Sequence, residues 1–206
     1  MRKSAYWMSV GLFVILAVVL AFVLAGTRTI RASGPITVNT NLDGTNPNDG
    51  LCTLHEAIVS ANMNAPSGGV AGECAAGSPG ADTIEITATG TIALFSDLPN
   101  ITDTVTINGP AGGITISGGN ARRSGFATSD NLTLNLNRLN IVDGYFPSGF
   151  GGAVALGNGV NLNIADSSFS NNYAGDYGGA IWSGDGATTT INILNTTFYS
   201  NTSGPS

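Results

Sequence analysis

Apolar and polar side chains alternate in short runs over most of the chain. Ile36-Thr37-Val38, Thr83-Ile84-Glu85-Ile86, Thr91-Ile92-Ala93-Leu94, Thr104-Val105-Thr106-Ile107 and Gly113-Ile114-Thr115-Ile116 each set an apolar face against a polar one. That two-residue period predicts β-strands. Gly90, Pro99, Gly109-Pro110 and Gly118-Gly119 punctuate the runs, as turns require. No helical period separates them, so βαβ units are not expected.

From 131 onward the pattern nearly repeats itself. Leu162-Asn163-Ile164-Ala165-Asp166-Ser167-Ser168-Phe169-Ser170-Asn171-Asn172 returns as Ile191-Asn192-Ile193-Leu194-Asn195-Thr196-Thr197-Phe198-Tyr199-Ser200-Asn201. A weaker copy upstream aligns Leu132, Leu134 and Leu139 with Leu162, Ile164 and Phe169. Gly151-Gly152-Ala153-Val154 and Gly178-Gly179-Ala180-Ile181 lie between copies. A fixed period of roughly 30 residues predicts stacked repeats, and strands stacked without helices predict a parallel β-helix. Like residues then fall above like residues, with coils about 4.8 Å apart. Phe169 is expected over Phe198 inside the coil, and Asn172 over Asn201 as an amide ladder at a corner. The paired glycines are expected where a Cβ would clash.

The alternation of Gly-Gly-Ala-Val/Ile with Phe-x-x-Asn (Phe169 to Asn172, Phe198 to Asn201) resembles the repeat of the polymorphic outer-membrane protein family. That resemblance implies an exported surface protein with a β-helical passenger. The expected fold is therefore all-β: a right-handed parallel β-helix, a pectin lyase-like solenoid, over 82–206, with about four or five coils.

Ahead of the coils, Thr53-Leu54-His55-Glu56 is a capping box, in which the Thr hydroxyl takes the N3 amide and Glu56 reaches back to the Thr53 amide. A helix over about 53–63 should follow, with Leu54, Ile58 and Ala61 on one face and Pro66 and Gly68-Gly69 ending it. Such a helix is expected to cover the open first rung of the solenoid. Cys52 and Cys74 are the only cysteines. An even pair in an exported chain reads as a disulfide, and two cysteines with the single His55 make a poor zinc site.

Cys52-Thr53-Leu54-His55-Glu56-Ala57-Ile58, followed by Ala61-Asn62, also resembles the CSLREA motif, which marks the N-terminal region of exported bacterial and archaeal β-helix repeat proteins. Cys52, Leu54, Glu56 and Ala57 match. Thr53 stands for Ser and keeps the cap, whereas His55 stands for Arg. The resemblance runs on through Asp97-Leu98-Pro99-Asn100-Ile101 and Gly109-Pro110. It implies fold and export, and attaches no catalytic activity.

Residues 1–33 supply the export route. Arg2-Lys3 precede an apolar stretch from Ala5 to Gly26 broken by Ser9, which reads as a signal peptide or as a membrane-spanning anchor. Small residues at Ala25 and Ala32 offer cleavage sites; retention would leave the chain anchored. Either outcome places 34–206, made of a cap region (34–81) and the coils, outside the cytoplasm, extracellular or at the cell envelope. The final Asn201-Thr202-Ser203-Gly204-Pro205-Ser206 stops where another Gly-Gly-Ala segment is expected, so a chain truncated at its C-terminal end is anticipated.

Charge narrows the partners. All 13 acidic residues of the 206-residue chain lie beyond position 33, against Arg122, Arg123 and Arg138. Nucleic acid, which demands a basic footprint, is excluded as a partner. Asp43 and Asp49, in a polar loop with Thr45 and Asn48, form a weak calcium candidate whose spacing does not follow an EF-hand; Asp-Gly and Asn-Pro turns account for the same residues. No other cofactor is indicated.

Two functions remain. One is a non-enzymatic, adhesin-like module that contacts glycans or proteins of a host or neighbouring cell, with Tyr145, Tyr173, Tyr177 and Trp182 as the candidate ligand surface beside Phe146 and Phe150. The other is a polysaccharide lyase or glycoside hydrolase on the same scaffold. Asp143, Asp166 and Arg138 would serve a lyase, and a hydrolase would need a carboxylate pair drawn from those Asp residues with Asp130, Asp176 and Asp185. None sits in a family-like catalytic motif, and turn roles suit these residues better.

Overall fold

The computed structural model describes residues 34–121, 125–184 and 188–204; the segment 1–33, Arg122, Arg123 and Asp185 lie outside them. A short strand β1 (Ile36–Val38) leads through the polar loop to helix α1 (Leu54–Met63). The coils follow. β2 (Asp82–Ile86) and β3 (Thr91–Ala93) form one turn, and β4 (Val105–Asn108) and β5 (Ile114–Ser117) the next. β6 (Thr133–Asn137), β7 (Leu139–Val142), β8 (Tyr145–Phe146) and β9 (Val154–Leu156) form a third turn. β10 (Asn161–Ala165), β11 (Ser168–Ser170), β12 (Tyr173–Ala174) and β13 (Ile181–Ser183) lie over them, followed by β14 (Thr190–Leu194), β15 (Thr197–Tyr199) and β16 (Thr202–Ser203).

Each strand hydrogen-bonds to its counterpart one turn away, always parallel. The sheets run β1-β2-β4-β6-β10-β14, β3-β5-β7-β11-β15, β8-β12-β16 and β9-β13. The molecule is an all-β parallel solenoid with little helix. Its apolar columns are built by register: Val105, Leu134, Leu162 and Ile191 in one, and Ile84, Ile107, Leu136, Ile164 and Ile193 in the next. Phe169 is fully buried and lies between Ile141 and Phe198.

The weaker upstream copy is offset from its expected alignment. Leu134, Leu136 and Ile141, not Leu132, Leu134 and Leu139, pair with Leu162, Ile164 and Phe169. A two-residue slip leaves every side chain on its own face, so alternation alone does not detect it. The corner does. Arg138, Asp166 and Asn195 all take left-handed φ, at 57°, 52° and 46°, and stack through Arg138 N–H to the Ala165 carbonyl and Asp166 N–H to the Leu194 carbonyl. At the other end of β7, β11 and β15, Asp143, Asn171 and Ser200 repeat the left-handed bend.

Helix α1 forms as its cap dictates. The Glu56 amide donates to Thr53 Oγ1 at 3.1 Å, and the Thr53 amide donates to Glu56 Oε2 at 3.1 Å. The helix ends at Met63, as its expected range has it, and is capped by Asn64 in the left-handed conformation, whose amide reaches the Ala61 and Ser60 carbonyls. Leu54, Ala57, Ile58 and Ala61 are buried against β1 and β2, which covers the first rung. Asn62 pins the helix to the following coil, donating to the Asn100 carbonyl at 2.8 Å and accepting the Thr102 amide at 2.9 Å. The Cys52–Cys74 disulfide is formed and buried, tying the helix start to the loop after it.

Candidate binding surface

The expected aromatic strip exists as two ladders. Tyr145 and Tyr173 are register partners on β8 and β12, with ring centroids 5.2 Å apart and planes at 20°. Phe150 stacks on Trp182 at 4.5 Å and on Tyr177 at 5.9 Å. Stacking of this kind turns ring faces toward one another along the solenoid axis. Tyr145 and Tyr177 are nonetheless 39% and 54% exposed, so the strip belongs to the surface.

The paired glycines hold this side of the coil close to its neighbours. A Cβ on Gly152 would lie 2.4 Å from the Gly179 carbonyl oxygen, and one on Gly179 would lie 2.3 Å from the Thr202 oxygen. Gly151 and Gly178 take φ of +67° and +69°. Asn172 is fully buried; its Nδ2 donates to the Ile141 carbonyl and to Asn201 Oδ1, and its Oδ1 accepts the Gly144 amide. Asn201 repeats the first bond with the Phe169 carbonyl.

The residues weighed for catalysis are dispersed. Arg138 and Asp166 share one corner, while Asp143 lies on the other, at the far end of β7. Arg138 Nε donates to the Gly109 carbonyl at 2.7 Å. Asp166 Oδ1 accepts Asn195 Nδ2 at 2.6 Å, and Asp143 accepts the Ser117 hydroxyl and Asn171 Nδ2. Asp130 Oδ1 accepts the Asn158 amide at 2.7 Å, and the Asp176 amide donates to the Gly149 carbonyl.

The calcium candidates also have protein partners. Asp49 Oδ1 accepts the Leu51 amide at 2.9 Å. The Asp43 side chain is almost wholly buried; Oδ2 accepts the Phe95 amide at 2.8 Å and Oδ1 lies 3.5 Å from His55 Nδ1. Burial pushes the Asp43 carboxyl upward, but the neighbouring His55, with the Phe95 and Gly44 amides, holds it below the ordinary carboxylate range. Glu56 goes the other way: burial raises it despite the Thr53 bonds, and the neighbouring Glu73 and Asp49 charges add to the rise. Among the described residues no three His, Cys, Asp or Glu side chains converge to hold a metal. Nor is any helix among them long and apolar enough to cross a membrane.

The most regular outward feature is one that the aromatic reading passes over. The first sheet places Thr83, Thr106, Asn135, Asn163 and Asn192 in one outward column, and Glu85, Asn108, Asn137, Ala165 and Leu194 in the next. Amides bond up each column: Asn135 to Thr106 at 2.9 Å, Asn163 to Asn135 at 2.7 Å, Asn192 to Asn163 at 2.8 Å, and Asn137 to Asn108 at 2.8 Å. A trough of about 330 Å³ lies along them. Its signal in the chain is the matched pair Asn163 and Asn192, at the same step in both copies as the core phenylalanines. Comparison of the chain with models of protein families, with curated proteins and with solved structures finds no match.

Proposed function

We propose that this chain is an exported module of the cell envelope or extracellular space, a right-handed, pectin lyase-like β-helix that serves as a non-enzymatic, adhesin-like binding surface for glycans or proteins. The reading rests on the employment of the candidate acids. Asp143, Asp166 and Asp130 each hold a ladder or turn bond, and Arg138 caps a carbonyl. A carboxylate already committed to an amide at a corner is poorly placed to move a proton on a substrate. The outward faces are long, flat and repetitive, the form suited to extended partners.

Export is supported by the apolar segment 1–33, by the buried Cys52–Cys74 disulfide, which belongs in an oxidising compartment, and by the resemblance to CSLREA-type and polymorphic outer-membrane protein repeats. The test is twofold. The full chain, incubated with polygalacturonate and other glycans with and without calcium, should give no new reducing or unsaturated ends. Expressed in a bacterial host, it should be accessible to protease added outside the cytoplasm. Turnover lost in Asp143→Ala or Asp166→Ala would replace this reading with the lyase.

A further inference from the structure

We propose that the amide-bearing face of the first sheet is the binding site itself, and that it takes an extended, uncharged glycan of β-1,4-linked N-acetylated sugars lying along the solenoid axis. This inference rests on the binding-module reading and names its ligand class.

A primary amide has two N–H donors and two carbonyl lone pairs. Asn135 spends one donor on Thr106 Oγ1 and one lone pair on Asn163 Nδ2; Asn163 spends one donor on Asn135 and one lone pair on Asn192. The ladder fixes the orientation of these side chains and leaves each with one donor and one acceptor uncommitted. These amides are only partly buried, so the remaining valence faces water. The ordering entropy has been spent in folding, so a ligand meets a preorganised array.

The array has a period and a sign. Successive rungs are separated by the parallel-strand spacing of about 4.8 Å, so two rungs span about 9.6 Å. That is close to the disaccharide step after which an extended β-1,4-linked chain presents the same group on the same side. An acetamido substituent offers one carbonyl and one N–H, the complement of what each asparagine retains. From Thr106 to Asn192 and from Asn108 to Leu194 the two columns carry no charged side chain. A charged polymer gains nothing there, and a neutral one loses nothing. In the second column, amides at Asn108 and Asn137 give way to Ala165 and Leu194, the latter 69% exposed. Apolar ground of this kind suits the C–H face of a sugar ring. The trough holds both columns within one site, lined by Thr106, Asn135, Asn137, Asn163, Asn192 and Leu194.

The experiment titrates the purified full chain with the N-acetylglucosamine hexamer and, in parallel, with the glucose hexamer of the same linkage, which lacks only the acetamido groups. The N-acetylated hexamer should bind, and the glucose hexamer should bind at least about tenfold more weakly. Asn163→Leu and Asn135→Leu should each weaken the N-acetylated ligand about tenfold, the effect of a lost hydrogen-bonded rung. Asn140→Leu is the control. It breaks a comparable ladder bond, Ser168 Oγ to Asn140 Oδ1 at 2.8 Å, on the neighbouring sheet, and should leave affinity unchanged. Circular dichroism on each variant confirms that the fold is retained. No binding of the N-acetylated hexamer, equal binding of both hexamers, or equal losses in Asn140→Leu and Asn163→Leu would each overturn the proposal. Bacterial cells expressing the full chain, scored for its extracytoplasmic exposure and for attachment to other cells, separate the two readings. A chain that is exported and adheres without binding the hexamer keeps its adhesin-like role and loses this ligand.

Discussion

Phe169 lies face to face with Phe198 one turn further along the chain, their ring centroids 4.9 Å apart and their planes 9° from parallel. The two residues are also exact register partners on β11 and β15. Such a stack requires the coils to have the same length between corners, which is why it forms only where the repeat is regular. Phe169 is fully buried, whereas Phe198 is 39% exposed. Phe169→Ala should cost about 3–5 kcal/mol and Phe198→Ala about 1–2 kcal/mol, read by equilibrium denaturation in urea.

The glycine pairs carry a steric prediction. Gly152→Ala and Gly179→Ala would drive a methyl group into backbone carbonyls that cannot move without breaking the next rung. Each should cost about 1–3 kcal/mol or more. Gly112 has nothing within 4 Å of its Cβ position, so Gly112→Ala should stay within about 1 kcal/mol of the parent. Thermal melts of the three variants check the order.

The Cys52–Cys74 bridge closes the segment that contains the capping helix. Its removal by the double Cys→Ser variant should cost about 3 kcal/mol, chiefly through the unfolded chain. The loss should appear as a lower urea midpoint, with the coil strands retained in the far-ultraviolet spectrum.

Glu56 and Asp43 give opposite pH signatures. Burial raises the Glu56 carboxyl in the folded state, so the folded chain binds that proton more tightly and its stability falls as pH rises from about 4.3, the unfolded value, through the folded one. Glu56→Gln keeps a hydrogen-bonding group at N3 and removes the titration. Its melting temperature relative to the parent should therefore climb between acid and neutral pH and then level off. Asp43 is held below its ordinary range; its contribution is present above about 3.9 and is lost as pH falls through the folded value. Asp43→Asn should consequently be most harmful at neutral pH and converge on the parent in acid.

Much of this fold could be read from the chain because the two best copies carry the same residue types at each step. Phe169 and Phe198, Asn172 and Asn201, and the glycine pairs announce their own stacking. The capping helix was legible for a local reason, the reciprocal Thr53–Glu56 box, which needs no tertiary partner. The register of the weaker upstream copy is not legible because Leu132, Leu134 and Leu136 alternate identically in either alignment. Only the left-handed bend at Arg138, a residue with no turn preference, distinguishes them, and arginine hides that bend where Asp166 and Asn195 reveal it. The aromatic residues were visible as a cluster, but the direction of their rings depends on the stacking of whole coils. The amide columns were hidden for a related reason: Asn135, Asn137 and Asn163 look like ordinary solvent-facing residues until the turns are superposed.

The stacking register is the claim on which everything else depends, and methyl-resolved nuclear Overhauser spectroscopy on the full chain tests it most directly. Leu162 should show strong cross-peaks to Leu134 on one side and to Ile191 on the other, its partners in β6 and β14. Cross-peaks from Leu162 to Leu132 in place of Leu134, or none to Ile191, would contradict the account.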